Sequence, residues 1–414
     1  MQPGAGCQCF STGQVYADGD RLGEFPQDSS VKDCKLPGLD RTQTAGNPKQ
    51  PRGWRTPAGC FSALRNGTAL AAFFGNGSKP AEVEVTVRSR VFAPHKRGLQ
   101  HIVVQGFTIE HGANQWIANF WLPSNAKYSQ SGLLGTRSGY MWTIRNNTIR
   151  KAQTIALDIG DEGGYTGSWP PADNEGTMQP SPNVTGNHTV VGNMIEDNGA
   201  SGIQGYSTSG TISFNIIRHN GAIGCAGAEN AAVKTHAFSG VMEGNLIYGN
   251  SELPIWFDNG YKYMRFTRNA IVNNAPGSNG AGFEMSFGPA LVDNNIFISA
   301  DSGQEGYPHS GMGVTGMDAS GVTYVHNLAL GYKAGSVSVY GLTGRSERGT
   351  KRVLEYARLA MGFANVRAGT QVLMLVLVLV QVGPAGRGPI AQCPTTLSAS
   401  QSPRDAPAPS RIGP

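Results

Sequence analysis

The feature that most constrains this chain is a short pattern that keeps returning: a strand-like apolar run, an Asn, and an apolar residue two positions on. It reads IRNNTI at Asn147, VVGNMI at Asn193, ISFNII at Asn215 and VMEGNLI at Asn245, then FTRNAI at Asn269, VDNNIF at Asn295 and YVHNLAL at Asn327. Successive intervals are 46, 22, 30, 24, 26 and 32 residues. The first reads as two coils of about 23 residues carrying a Gly/Pro-rich insertion near Gly163–Pro182, and IVVQGFTI, with Phe107 at the Asn position, reads as an earlier coil. A unit of this size, holding two or three short strands, is too small to bury a core of its own. Stacking solves the problem, because each strand pairs in parallel with its counterpart one coil on, at about 4.8 Å. Asn at a fixed turn position then stacks into a hydrogen-bonded ladder. The expected fold is therefore all-β, a right-handed parallel β-helix. A leucine-rich repeat needs a denser Leu framework, and a propeller blade is longer. Composition agrees: 57 Gly in 414 residues and only 15% charged residues exclude a long coiled coil and a mostly helical fold, and the Gly has no three-residue period.

Counting back from the ladder locates polar residues. Eleven positions before Asn295, Asn269, Asn245 and Asn215 stand Glu284, Asp258, Lys234 and Gln204, each preceded by an apolar residue (Phe283, Phe257, Val233, Ile203). The local pattern ALDIG adds Asp158 on the preceding coil. Strand alternation sends the apolar set inward and Asp158, Gln204, Lys234, Asp258 and Glu284 outward as one column. Two carboxylates on adjacent stacked strands are expected about 5 Å apart, the separation used by retaining glycosidases. Proximity splits the pair into one ionised nucleophile and one protonated acid. Lys234 beside Asp258 favours the charged form there, so Asp258 is the expected nucleophile and Glu284 the expected general acid/base. Trp256, on the same side as Asp258, offers a sugar-stacking platform. The competing reading is a solvated surface ion-pair ladder with no chemistry. His111, His219 and His326 read as turn or surface residues; His236, beside the column, is a better candidate.

The blocks AENAAVKTH, LPIWFDNG and GFEMSFGPALVDNNIFIS resemble the β-helical glycoside hydrolases of families 120 and 141. So do VRSRVFAPHKRGLQHIVVQGFTIEHGANQW and SGLLGTRSGYMWTIRNNTIRKAQTIALDIGDEGG upstream, so that the likeness covers about residues 54–330. Those families include β-xylosidase, xylanase and α-L-fucosidase activities. The resemblance implies Asp258 as nucleophile and Glu284 as acid/base. It also implies Glu229 as a further acidic pocket residue, Lys234 and His236 as the K-x-H motif, and Gln115 and Trp116 near the same face. Family members continue with further coils past the VHNL motif, whereas here the pattern stops near Arg345.

Three regions follow: 1–90 as an N-terminal cap or partial β-sandwich, 91–345 as the β-helix, and 346–414 as an atypical tail, disordered or foreign to the fold. In the first, VYADGDRL and EVEVTVRSRVF read as strands and ALAAFFG as a buried segment. The net charge of +5 belongs to the tail, since the residues before Arg345 carry 24 Lys/Arg against 25 Asp/Glu. That near-neutral balance suits a neutral sugar and argues against nucleic acid as a partner. Val372–Val380 is too short to span a bilayer. Met1–Phe10 shows no basic region followed by an apolar one, which points to a cytoplasmic chain or one whose start lies upstream. The six cysteines form no C-x-x-C pair, so structural thiols or a disulfide are expected rather than a metal site, and no cofactor is implied. The expected function is retaining glycoside hydrolysis of a polysaccharide-derived glycan, of β-xyloside or α-L-fucoside type. The alternatives are a polysaccharide lyase using Lys234 as base, without the Asp-rich Ca²⁺ cluster that usually accompanies one, and a non-catalytic carbohydrate-binding β-helix.

Overall fold

The computed structural model describes residues 13–25, 31–32, 59–65, 67–74, 79–114, 131–160, 185–222, 231–250, 253–258, 263–274, 284–285, 290–298, 322–330 and 380–381. Among these, every regular element is a strand. The strands wind into coils with three faces, and each pairs in parallel, in register, with its counterpart on the next coil. The site face stacks Leu134–Gly135, Ile155–Asp158, the first half of Ser201–Ser213, the first half of Ala231–Glu243, Leu253–Asp258 and Glu284–Met285. The second face runs from Val103–Gln105 through Thr143–Arg145, His188–Val191 and the second halves of the two long strands to Met264–Thr267, Ala290–Asp293 and Val322–Val325. The third holds three-residue strands from Thr108–Glu110 to Leu328–Leu330.

Register turns the apolar positions into three stacks that fill the interior. They are Leu134, Leu157, Ile203, Val233 and Ile255 on the site face, and Ile144, Val190, Ile212, Met242, Phe266 and Val292 on the second. On the third they are Ile109, Ile149, Ile195, Ile217, Ile247, Ile271 and Phe297. All are buried in one continuous core, where each side chain covers the one before it.

The Asn ladder forms as expected, at the corner between the second and third faces. Asn215 shows its unit: Oδ1 accepts from the backbone N–H and the Nδ2 of Asn193 at 2.9 and 3.0 Å. Its Nδ2 donates to Val190 O and Asn245 Oδ1, both at 3.0 Å. The residue before each ladder Asn is left-handed, at φ 55, 66, 54, 64, 57, 55 and 53 for Asn146, Gly192, Phe214, Gly244, Arg268, Asn294 and His326. A second ladder, Asn198–Asn220–Asn250–Asn274, repeats the arrangement five residues on, after each third-face strand. Here too the preceding residue is left-handed, as at Asp197, His219 and Asn273. His111, His219 and His326 all have positive φ, so all three are turn residues.

One coil assignment is corrected. Thr143–Arg145 pairs directly with His188–Val191, and Asn147 hydrogen-bonds directly to Asn193. The 46-residue interval is therefore a single coil with an insertion, not two coils of 23. Where the two longest strands pass from the site face to the second face, the backbones approach closely at Gly210 (φ +141) and Gly240 (φ +137). A Cβ on Gly240 would lie 2.0 Å from Gly210 O, which only glycine avoids.

N-terminal to the coils lie two small sheets. One joins Asp20–Arg21, Val15–Ala17 and Val83–Val85; the other joins Gly23–Phe25, Gly59–Leu64 and Ala69–Phe74. The first is tied to the coil corners by Tyr16 Oη donating to Lys151 O (2.7 Å) and by Arg21 Nη2 donating to Ala152 O and Asp197 O (3.0 and 3.1 Å). Ala69–Phe74, expected as a buried segment, is a strand with no fully buried residue. Cys60 is disulfide-bonded. Of the expected tail only Val380–Gln381 is described, as an antiparallel strand beside Val322–Val325.

Candidate functional site

The site face departs from ordinary β-helix surface in one respect: most of its described outward side chains are buried. On the third face the outward Ile216, Leu246 and Ile296 are about two-fifths exposed (38%, 38% and 42%). On the site face Asp158, Gln204 and Lys234 are 1% exposed, and His236 and Asp258 4%. The reading of the column as a solvated ion-pair ladder is thereby overturned for Asp158, Gln204, Lys234 and Asp258.

Register confirms part of the column and shifts the rest. Asp158 stands opposite Gln204 and Gln204 opposite Lys234, as counted. Lys234, however, stands opposite Trp256, and Trp256 opposite Glu284; Asp258 falls opposite His236. The reason is a two-residue insertion at one corner. From site-face row to second-face row the chain takes eight residues in the Lys234 coil (Lys234 to Met242) and eight in the Glu284 coil (Glu284 to Val292), but ten in the Asp258 coil (Trp256 to Phe266). An even slip preserves the side of the sheet, so Asp258 still points outward, displaced along its strand. Its Cα and that of Glu284 are thus diagonal neighbours, about 8 Å apart by strand spacing and rise rather than directly stacked at about 5 Å.

The cluster around Asp258 is built from three strands. Lys234 Nζ lies 2.9 Å from Asp258 Oδ2. The same ammonium sits 3.0 Å from the centroid of the Trp256 ring. One face of that indole is therefore occupied by a cation, while the residue packs against Ala231 and Leu253. His236 Nε2 is 3.9 Å from Asp258 Oδ2, and its ring lies 5.9 Å from that of Tyr206. Burial pushes the His236 imidazole down to about 4; Asp258 opposes the shift and Lys234 adds to it. The ring is neutral at neutral pH. Towards the N-terminal coils, Gln204 Nε2 donates to Ser201 Oγ at 2.7 Å, and Asp158 Oδ1 accepts from the Gly160 N–H at 2.9 Å. Gln204 Oε1 and Trp256 Nε1 are buried polar atoms without a hydrogen-bond partner.

A carboxylate buried at this depth is tolerated because an ammonium neutralises it at hydrogen-bonding distance. Tyr206, one row from Gln204 and opposite His236, belongs to the same cluster and went unmarked in the sequence. Its signal was there: GIQGY puts it two residues after Gln204, on the same side of the strand. The backbone of Glu284 is described but not its side chain; Phe283, Glu229, Gln115 and Trp116 lie outside the described residues. Among the described residues no three His, Cys, Asp or Glu side chains are grouped to hold a metal ion.

The family model described as "Right handed beta helix region" matches residues 131–329. No curated protein matches the chain. A solved structure, that of XylC in complex with xylose, is similar with a TM-score of 0.54 and 22% sequence identity, covering 79% of this chain and 50% of that one. This chain therefore spans about half the length of that protein, and the likeness speaks for the fold. Together with the parallel registers and the stacked core, these matches establish the chain as an all-β protein with a right-handed parallel β-helix.

Proposed function

We propose that this protein is a glycoside hydrolase that works with retention of configuration on a polysaccharide-derived glycan of β-xyloside or α-L-fucoside type. Asp258 is its nucleophile and Glu284 its general acid/base. The observation that carries the reading is the buried Lys234–Asp258 pair on the outward side of the sheet, 2.9 Å apart, where the Asp258 coil has a corner two residues longer than those of the coils on either side. Departures from an otherwise regular repeat mark functional positions more often than structural ones. The likeness to a β-helix solved with xylose adds weight.

In this scheme the Asp258 carboxylate attacks the anomeric carbon as Glu284 protonates the departing oxygen. Glu284, now a carboxylate, then takes a proton from the water that releases the sugar and regenerates Asp258. Lys234 fixes the carboxylate through Oδ2, and neutral His236 flanks it. Asp158, Gln204, Trp256, Glu229, Gln115 and Trp116 are assigned to sugar contact, with Gln204 Oε1 and Trp256 Nε1 offering buried hydrogen-bonding atoms. The test is a panel of aryl β-xylosides, α-L-fucosides and α-L-arabinosides. Asp258→Ala is expected to abolish turnover, and azide to restore part of it as a product of inverted configuration. Undiminished activity in that variant would refute the assignment.

A second reading, a non-catalytic carbohydrate-binding β-helix, is favoured by the same burial, since Asp258 is only 4% exposed. It predicts sugar binding that survives Asp258→Ala, with no turnover by the unaltered chain.

A further inference from the structure

Trp256, expected from the sequence to be the sugar platform, gives up one face of its indole to Lys234 Nζ, 3.0 Å from the ring centroid. It also packs against Ala231 and Leu253. A second aromatic follows on the same coil. Tyr263 is 81% exposed. It is the last residue of the corner that carries two extra residues, immediately before Met264 of the second face.

Register bounds its distance from Asp258. Asp258 stands opposite His236, and Met264 opposite Gly240. Four residue steps join His236 to Gly240, so the Asp258 and Met264 rows are at most about 14 Å apart even along fully extended chain. Tyr263 is one peptide unit from Met264. Asp258 is 4% exposed against 81% for Tyr263, so the phenol ring belongs to the rim of the cluster and not to its floor. On the two preceding coils the residues just before Gly240 and Gly210 are Ser239 and Ser209, which pair with each other. These short polar side chains leave room for a ligand beside the ring.

The backbone makes an aromatic a costly choice here. Tyr263 is left-handed (φ 53), as are His101, Met141 and Asn187 at the same corner of earlier coils (φ 56, 56 and 52). Gly or Asn takes this conformation with least strain, and a bulky side chain takes it at a cost. So exposed a ring returns little burial to the fold. What it presents is a flat apolar surface ending in a hydroxyl, which matches the apolar face and polar edge of a pyranose.

We propose that Tyr263 forms a sugar subsite at the rim of the cluster, stacking on a pyranose ring linked to the one that Asp258 attacks. The inference rests on the glycosidase reading for its ligand and deepens it. The substrate is then an oligosaccharide, and this contact selects its length, not the identity of the cleaved sugar.

Calorimetric titration of the full chain tests it with two pairs of probes: xylose against xylotriose, and L-fucose against a fucose-terminated trisaccharide. The trisaccharides are thio-linked, so that they are not cleaved. Tyr263→Ala is expected to weaken trisaccharide binding roughly 3- to 10-fold and to leave the monosaccharide unchanged. Tyr263→Phe keeps the ring and should keep most of the affinity. Tyr263→Gly separates ligand contact from a part in folding. With the backbone strain relieved it should melt no lower than the unaltered chain, yet bind the trisaccharide as weakly as Tyr263→Ala. Turnover of aryl glycosides by Asp258→Asn is measured alongside. If Asp258→Asn is inactive while Tyr263→Ala binds both lengths like the unaltered chain, the subsite is overturned and the nucleophile stands. If Asp258→Asn stays active while Tyr263→Ala loses only the trisaccharide, the subsite stands and the nucleophile falls. Binding of neither trisaccharide, or equal binding of both lengths by the unaltered chain, would also overturn the proposal.

Discussion

Replacing Lys234 by Met asks how much the Asp258 cluster depends on one charge. Lys234 Nζ and Asp258 Oδ2 are 2.9 Å apart, and their side chains are 1% and 5% exposed. Removing one member of such a pair leaves an unpaired carboxylate in a buried site, at a cost of about 3–5 kcal/mol. The ammonium also faces the Trp256 ring, a contact of order 1–2 kcal/mol when desolvated, which a Met sulfur replaces in part. Lys234→Met alone should therefore lose about 3–4 kcal/mol in urea unfolding at neutral pH. Asp258→Asn removes the orphaned charge, so the double variant should recover stability, with a coupling energy of about 2 kcal/mol or more. Urea midpoints of the four proteins, at unchanged denaturant dependence, give that coupling directly. A loss below about 1 kcal/mol for Lys234→Met, with coupling under about 0.5 kcal/mol, would place the pair in a solvated setting and refute the reasoning.

Asn215→Ala deletes one rung of the first ladder and leaves Val190 O and the Asn193 N–H without their partner in the core. We expect a loss of about 2–4 kcal/mol by the same urea assay, and an unchanged midpoint would show that the ladder carries no stability. Acid should destabilise the fold through its buried imidazoles. His236 and His188 are both pushed down to about 4, chiefly by burial. Above pH 6.5 both are neutral in the folded and unfolded chain and contribute nothing to the pH dependence. Between pH 6.5 and about 4 the unfolded chain binds protons that the folded one refuses, so stability falls by roughly 3 kcal/mol per residue and levels off below that window. Melting temperature against pH should show this slope, and His236→Asn should flatten it by one proton. A flat profile in the unaltered chain would mean that the rings reach solvent.

The ladder Asn carried most of what the sequence disclosed about the fold. A fixed period, a β-branched run and an amide at the turn leave stacking as the way to bury the apolar positions, and the three inward stacks follow from alternation. The second ladder was as legible as the first, five residues after it at Asn198, Asn220, Asn250 and Asn274, but its rungs lie among other Asn and Gly. The side of the sheet on which Asp258 stands could be read, because side-chain direction has a period of two. Its row could not: counting from a distant Asn presumes a corner of constant length, and the Asp258 coil has two residues more. The same presumption divided the interval between Asn147 and Asn193 into two coils, although the strands on either side of the insertion pair directly. Burial of the outward row was illegible for a further reason. Alternation says which way Gln204 and Lys234 point, whereas their accessibility depends on chain far away in sequence.

The measurement that bears most directly on the function is covalent trapping. A retaining glycosidase turns over a 2-deoxy-2-fluoro glycoside with a good leaving group as far as the glycosyl-enzyme and then stalls, because the fluorine slows release more than the leaving group slows formation. Incubating the full chain with the 2-fluoro xyloside and its fucoside counterpart, followed by peptide mass spectrometry, reports which side chain attacked. The expected result is one added sugar on the peptide Leu253–Tyr263, localised to Asp258 and lost in Asp258→Asn. A sugar on any other carboxylate, or hydrolysis of the parent aryl glycoside with inversion and no adduct, would contradict Asp258 as the nucleophile.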